Sequence, residues 1–87
     1  MAELIAVSGA ITEAVRLSKE LSENGCINCR VIHTPAKISS GNCSYSVKLE
    51  EKYISLLKKI MENKKIRVKA IYREIKKEGE LFYERIS

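Results

Sequence analysis

Cys43-Ser44-Tyr45-Ser46-Val47-Lys48-Leu49-Glu50-Glu51 is the stretch whose reading decides the fold. Cys43, Tyr45, Val47 and Leu49 alternate with Ser44, Ser46 and Lys48, which is the two-residue period of a half-buried strand. Glu50-Glu51 then place negative charge in the first turn of a helix, and Lys58-Lys59 and Lys64-Lys65 place positive charge towards its end. Both choices suit the helix dipole. Tyr53, Leu56, Leu57 and Ile60 supply the apolar stripe of that helix.

Upstream, Ile27 to His33 also alternates, with Ile27, Cys29, Val31 and His33 on one face and Asn28, Arg30 and Ile32 on the other. Two strands therefore follow one another, separated by the polar, turn-rich segment Pro35–Asn42. Before them, residues 10–24 carry Ile11, Ala14, Val15, Ser18 and Leu21 at helical spacing, with Arg16, Lys19, Glu20 and Glu23 on the other side. Ser8 or Gly9 can serve as N-cap, and Asn24-Gly25 is a C-terminal stop. Leu4-Ile5-Ala6-Val7 reads as a first strand.

Downstream, Ile66 to Ile75 alternates again, with Val68, Ala70 and Tyr72 opposed to Arg67, Lys69, Ile71 and Arg73. Glu78-Gly79 can turn the chain into Leu81-Phe82-Tyr83. The order β-α-β-β-α-β, in one small domain spanning 1–87 with an appended strand or tail over 79–87, predicts an α+β fold. Its expected form is a ferredoxin-like sandwich, an antiparallel sheet with two helices on one face. With Cys29, Val31, Val68, Ala70 and Tyr72 turned towards the helices, the other face would be open and basic. It would show Arg30, Lys48, Arg67, Lys69 and Arg73 around Ile32 and Ile71, the kind of surface that meets a partner.

The chain has 87 residues, and one this small buries only roughly 60–65% of its unfolded surface, so stability is expected to be modest. No apolar run approaches the length of a membrane span, and the first residues enter an apolar run without a basic leader. A cytoplasmic location is therefore expected. The three cysteines are an odd number, which a reducing compartment would keep as thiols. The formal net charge of +5 is unevenly placed. Charges nearly cancel up to Cys43, and the excess comes from Lys58 onwards, which favours anionic partners.

Cys43 is the first candidate for chemistry. It stands at the end of a loop in which Pro35 fixes one backbone angle and Gly41 and Asn42 tolerate left-handed geometry. Only a thiolate attacks or accepts sulfur. Backbone N–H groups around Ser39, Ser40, Gly41 and Asn42 could stabilise that anion, with Lys37 adding positive charge. The competing reading is that Cys43 opens the third strand and packs as a small apolar residue.

Cys26-Ile27-Asn28-Cys29 is a C-x-x-C. A zinc or redox pair would need a turn or helix N-terminus and, for zinc, further ligands. Cys29 instead falls on the inward face of a strand, so buried structural thiols are expected and no metal or cofactor is assigned. His33, the sole histidine, could act as a base beside Cys43, although a lone histidine at a strand end ordinarily just hydrogen-bonds. There is no Asp and no serine triad. RNA binding on a sheet needs exposed aromatics for base stacking. Tyr45 and Tyr72 are assigned inward, which leaves nucleic acid the weakest option.

The order of these elements and the loop between them resemble the selenium/sulfur carrier-like family of small proteins. The matching residues are Gly25, Arg30, Pro35, Ile38, Ser39, Ser40 and Gly41, followed by Ile71-Tyr72. The resemblance spans residues 3–75 in order and length, and its specific part is Pro35–Cys43. Read without a gap, the family's cysteine falls on Asn42 and the glycine after it on Cys43, with Ser44 next. Either the loop accommodates this shift and Cys43 remains the carrier atom, or the chemistry is lost, because one step along an extended chain turns a side chain to the other face.

The resemblance implies a cytoplasmic carrier that holds sulfur or selenium on Cys43 as a persulfide or selenosulfide. It would receive the atom from a donor protein and pass it to an acceptor, as a transfer intermediate and not a catalyst. The alternative is a protein-interaction module that dimerises through its open sheet face or its 79–87 tail.

Overall fold

A computed structural model describes residues 3–38 and 44–86. The elements are β1 (Glu3–Ser8), α1 (Ile11–Glu23), β2 (Arg30–His33), β3 (Tyr45–Glu50), a 3₁₀ turn (Glu51–Tyr53), α2 (Ile54–Lys64), β4 (Ala70–Lys77) and β5 (Glu80–Arg85). The strands form one sheet in the order β2-β3-β1-β4-β5. Every neighbouring pair is antiparallel. The chain is thus a small α+β protein with two helices and a five-stranded antiparallel sheet, and the tail supplies the fifth strand.

One face of the sheet carries the core. Leu4 and Ala6 of β1, Val47 and Leu49 of β3 and Ile71 of β4 pack against Ala14, Leu17 and Leu21 of α1 and Leu57 and Ile60 of α2. Leu17, fully buried, belongs to this stripe, whereas the predicted members Ile11 and Val15 are 48% and 50% exposed. The apolar arc is rotated so that Ala14, Leu17 and Leu21 face the sheet, three and four residues apart as a single helix face requires. The helix begins without a side-chain cap on Ala10. Ser8, expected with Gly9 as a candidate N-cap, instead donates its hydroxyl to the Ala10 carbonyl oxygen at 3.3 Å.

Both helices end in the same way. Gly25 takes a φ of 96°, its N–H donates to Ser22 O at 3.2 Å and the Cys26 N–H donates to Leu21 O at 2.9 Å. This is a Schellman cap, which favours an apolar residue just beyond the left-handed position. In α2, Lys65 takes the left-handed place with φ 53°, and Ile66 N–H donates to Met61 O at 3.2 Å. Cys26 and Ile66 are the apolar residues that the two caps drive into the core.

The expected strand over Ile66–Ile75 starts later and runs in the opposite register. Ile66 and Val68 do face the core, but the chain bends at Lys69, whose N–H donates to Val7 O at 2.8 Å. Beyond the bend the alternation changes phase. Ile71, opposite Ala6, is in the core, while Ala70 and Tyr72, opposite Val7 and Ile5, turn to the other face. A shift of one residue inverts the faces of a strand. Ile27, placed inward by its alternation, is 62% exposed because β2 begins only at Arg30, after Asn28 takes a φ of 64°.

The second face of the sheet is not open. Ile5 and Ser46 on that face are 0% exposed and Val7 is 7% exposed. Lys48 bonds Glu74 at 3.0 Å and Glu3 at 3.5 Å, and the Tyr83 hydroxyl donates to Glu74 Oε2 at 2.9 Å. A line of paired polar groups, charged on β3, β1 and β4 and a neutral hydroxyl on β5, therefore crosses the sheet. The expected basic face is also depleted of Arg73, which lies on the helix side and joins Glu51 at 2.6 Å to Glu84 at 2.8 Å. Among the described residues no helix is long and apolar enough to cross a membrane.

The revised α1 stripe has a direct consequence. Leu17→Ala is expected to cost about 2–5 kcal/mol, as deletion of a buried leucine does, and Val15→Ala no more than about 0.5 kcal/mol, as at an exposed site. Urea denaturation of the two variants checks this.

Candidate functional site

The β2–β3 loop is pinned at its base. Thr34 N–H donates to Ser44 O at 3.0 Å, and the hydroxyls of Thr34 and Ser46 are 2.7 Å apart. Within the loop, Ile38 N–H donates to Pro35 O at 3.0 Å, the closing bond of a β-turn that proline at the first position favours. Of the predicted site residues, Lys37 is described. Ser39, Ser40, Gly41, Asn42 and Cys43 lie outside the described residues.

Lys37 reaches the far side of the molecule. Its Nζ donates to Leu81 O at 2.7 Å and stands 5.9 Å from the centre of the Phe82 ring. The loop follows one edge strand and β5 is the other edge, so this contact joins the two edges of the sheet. Pro35, Ala36, Gly79, Leu81 and Tyr83 line a shallow cavity between them. By their pairing with Lys76 and Glu74, Leu81 and Tyr83 lie on the face away from the core. Gly79 and Glu78 both have positive φ, 81° and 52°, which is the twist that a two-residue hairpin turn needs.

The register shows what surrounds the place where the loop leaves the sheet. Ser8 is opposite Tyr45, which is opposite His33. The His33 and Tyr45 rings are 4.8 Å apart. Beyond Ser8 comes the turn into α1. There Lys69 lies over Gly9, close enough that a Cβ on the glycine would stand 2.9 Å from Lys69 Cε. The sheet end that holds the loop thus brings together the start of α1, a lysine and the single histidine. Sequence reading assigned Lys69 to an open face. Its true neighbourhood depends on the bend before β4, which no local pattern announces.

The C-x-x-C lies at the opposite end of β2. Cys26 is 6% exposed, and burial, followed by the neighbouring Cys29 thiol, pushes its own thiol up to about 12. Cys29 is half-buried, with Sγ 3.1 Å from Ser22 Oγ and donating to Ser18 O at 3.5 Å. Both thiols are reduced and integrated into the packing of α1 against the sheet. Ser18 and Ser22, one helical turn apart, are the polar contacts that hold Cys29. Among the described residues no group of three or more His, Cys, Asp or Glu side chains gathers in a metal-binding arrangement.

Thiolate fraction sets cysteine reactivity, so the rise from 9.0 to about 12 makes Cys26 a poor nucleophile. Alkylation of Cys26 at pH 8 is expected to be roughly a thousandfold slower in the folded than in the urea-unfolded protein, as followed by peptide mass mapping. Tyr83 is likewise raised, from 10.0 to about 12, by burial and then by its bond to Glu74. Both groups favour their neutral forms in the fold. Their contribution to stability is complete below pH 9 and is lost as pH climbs towards 12, which denaturation across that window measures.

No match to the chain was found among the curated proteins or the solved structures. Residues 3–73 match the family model described as "Putative Se/S carrier protein-like", a span that runs from β1 into β4 and includes the whole β2–β3 loop. The chain belongs to that family.

Proposed function

We propose that this protein is a small cytoplasmic carrier of sulfur or selenium, which it holds on Cys43. The family match over residues 3–73 is the observation that carries the reading. The strand order β2-β3-β1-β4 supports a ferredoxin-like sandwich as the scaffold, with β5 added at one edge. Cys26 and Cys29 are committed to packing, and Cys43 is the remaining thiol. The segment that bears it, Ser39–Cys43, connects Ile38 to Ser44, and Ser44 adjoins the sheet end where Lys69 and the first turn of α1 are found. Positive charge and unpaired helix N–H groups favour a sulfur anion.

The transfer is a thiol exchange. The Cys43 thiolate attacks the outer sulfur of a donor persulfide, the donor's S–S bond breaks, and the donor leaves as its own thiolate. Cys43 then carries the sulfur with its proton, and no net oxidation occurs. An acceptor nucleophile attacks the same outer atom and releases Cys43 as thiolate. In this reading Lys37 anchors the loop through Leu81, and Ser39, Ser40, Gly41 and Asn42 supply backbone N–H groups around the anion. Donor and acceptor proteins are the partners, and the protein itself is a transfer intermediate.

Incubation with a cysteine desulfurase and isotopically labelled cysteine, followed by intact mass, tests the proposal. The expected result is gain of one labelled sulfur that is lost in Cys43→Ala and kept in Cys29→Ala. Absence of gain, or gain indifferent to Cys43→Ala, counts against it.

A second reading, a homodimer formed through the tail, has one observation in its favour. Leu81 and Phe82, on the edge strand β5, are 38% and 48% exposed, and unprotected edges invite pairing. Sedimentation of the wild type and of Phe82→Lys decides this, with a concentration-dependent dimer lost in the variant as the expected outcome. A monomer at high concentration removes the dimer reading.

A further inference from the structure

We propose that the groove between α2 and β4 docks an acidic segment of a partner protein that also presents an aliphatic side chain. The groove's floor is apolar. Ile66 and Ile71 lie at its base, 4% and 1% exposed, and the half-buried Met61 and Val68 form its walls. Its rim is charged, with Lys58, Arg67 and Lys69 against the single carboxylate of Glu62. All four rim residues are exposed.

The charge around this groove is the charge of the protein. Residues 58–69 hold six basic residues and one glutamate, a surplus of five that equals the formal net charge of +5 for the whole chain. Elsewhere the cations are largely matched by carboxylates, as in the Lys48–Glu74 and Arg73–Glu51 pairs. Within 58–69, among the described residues, the ion pair formed is Lys64 with Glu20 at 3.9 Å. Lys58, Arg67 and Lys69 are left to face an external anion. Segregated charge of one sign around an apolar floor is the pattern of a docking site, where the charges steer and the floor supplies affinity.

The apolar floor selects the class of partner. A nucleic acid offers phosphates to the rim but nothing aliphatic to Met61 and Val68. The segment 58–69 also has no aromatic side chain on which a base could stack. An acidic peptide carrying a leucine or similar residue satisfies both parts. The groove's position matters as well, because Lys69 belongs both to its rim and to the sheet end from which the β2–β3 loop departs. A partner seated there would lie towards the sheet end formed by Ser8, Tyr45 and His33. Only the partner's identity as a sulfur donor or acceptor rests on the carrier reading.

The probe is a short fluorescein-labelled glutamate-rich peptide containing two leucines, with an all-glutamate peptide of equal length and a uridine homopolymer as comparisons. Fluorescence anisotropy is expected to show the leucine peptide binding about tenfold tighter than the all-glutamate one, as burial of an aliphatic side chain predicts. The double variant Arg67→Glu, Lys69→Glu should weaken it by about tenfold or more, whereas Lys76→Glu, Lys77→Glu, the same charge change on the β4–β5 hairpin, should have a much smaller effect. Equal binding of the two peptides, equal weakening by the hairpin variant, or tighter binding of the homopolymer would overturn the proposal. Cys43→Ala should bind the leucine peptide like the wild type, so that the dock and the carrier chemistry stand or fall separately.

Discussion

Ile5 is out of contact with water although it lies on the face of the sheet that bears no helix. Most of the architecture answers to that constraint. β1 is the central strand, and its residues Leu4, Ile5 and Ala6 are all 0% exposed, so both sides of the sheet must be covered there. The helices cover Leu4 and Ala6. On Ile5's side the cover is built from polar parts: Lys48, Glu74, Glu3 and Tyr83 pair across four strands. Half-buried charges of this kind are best tolerated when each one has a partner. The fifth strand belongs to the same solution, since it brings Tyr83 to Glu74 and Leu81 to Lys37.

That second layer also shows where the sequence stops being readable. The order of the elements, both helices, the Asn24-Gly25 stop and the turn at Glu78-Gly79 are written in local patterns of period and turn chemistry. The register of β4 is not. Ile66 and Val68 alternate with Ile71 only across a bend, and that bend depends on a bond from Lys69 to Val7, far away in the chain. Leu17 was passed over because it sits between Arg16 and Ser18, where the polar neighbours hide a position that tertiary packing buries. The joining of the two sheet edges was equally hidden, since Lys37 and Leu81 are 44 residues apart in sequence.

The cysteines divide along the same line. A C-x-x-C draws attention by its spacing, yet Cys26 is the apolar residue of a helix cap and Cys29 sits against the serines of the helix it follows. Ile66 occupies the equivalent place after α2, which shows that the position asks for an apolar side chain and does not require sulfur. Spacing alone could not separate these roles, because the distinction lies in burial and in which backbone N–H the residue carries. The loop motif Pro35–Cys43 was legible for a different reason. Its order of residues matches a family and needs no knowledge of the register.

The basic surplus gains meaning from the cap at the end of α2. Lys65 occupies the left-handed position there, where glycine is the usual choice. A non-glycine residue in that conformation costs free energy, and a side chain there projects from the turn that connects α2 to β4. The same cap tucks Ile66 under Met61 and thereby sets the base of the groove. The next residues alternate Arg67 and Lys69 outward with Val68 half-buried, so one short connection creates both the floor and the charged rim. Because Lys69 then bonds β1 beside the Gly9 turn, the connection ends at the sheet terminus that holds the β2–β3 loop. Chain geometry has therefore gathered positive charge where α2 gives way to β4, and the bend that inverted β4 is what put it there.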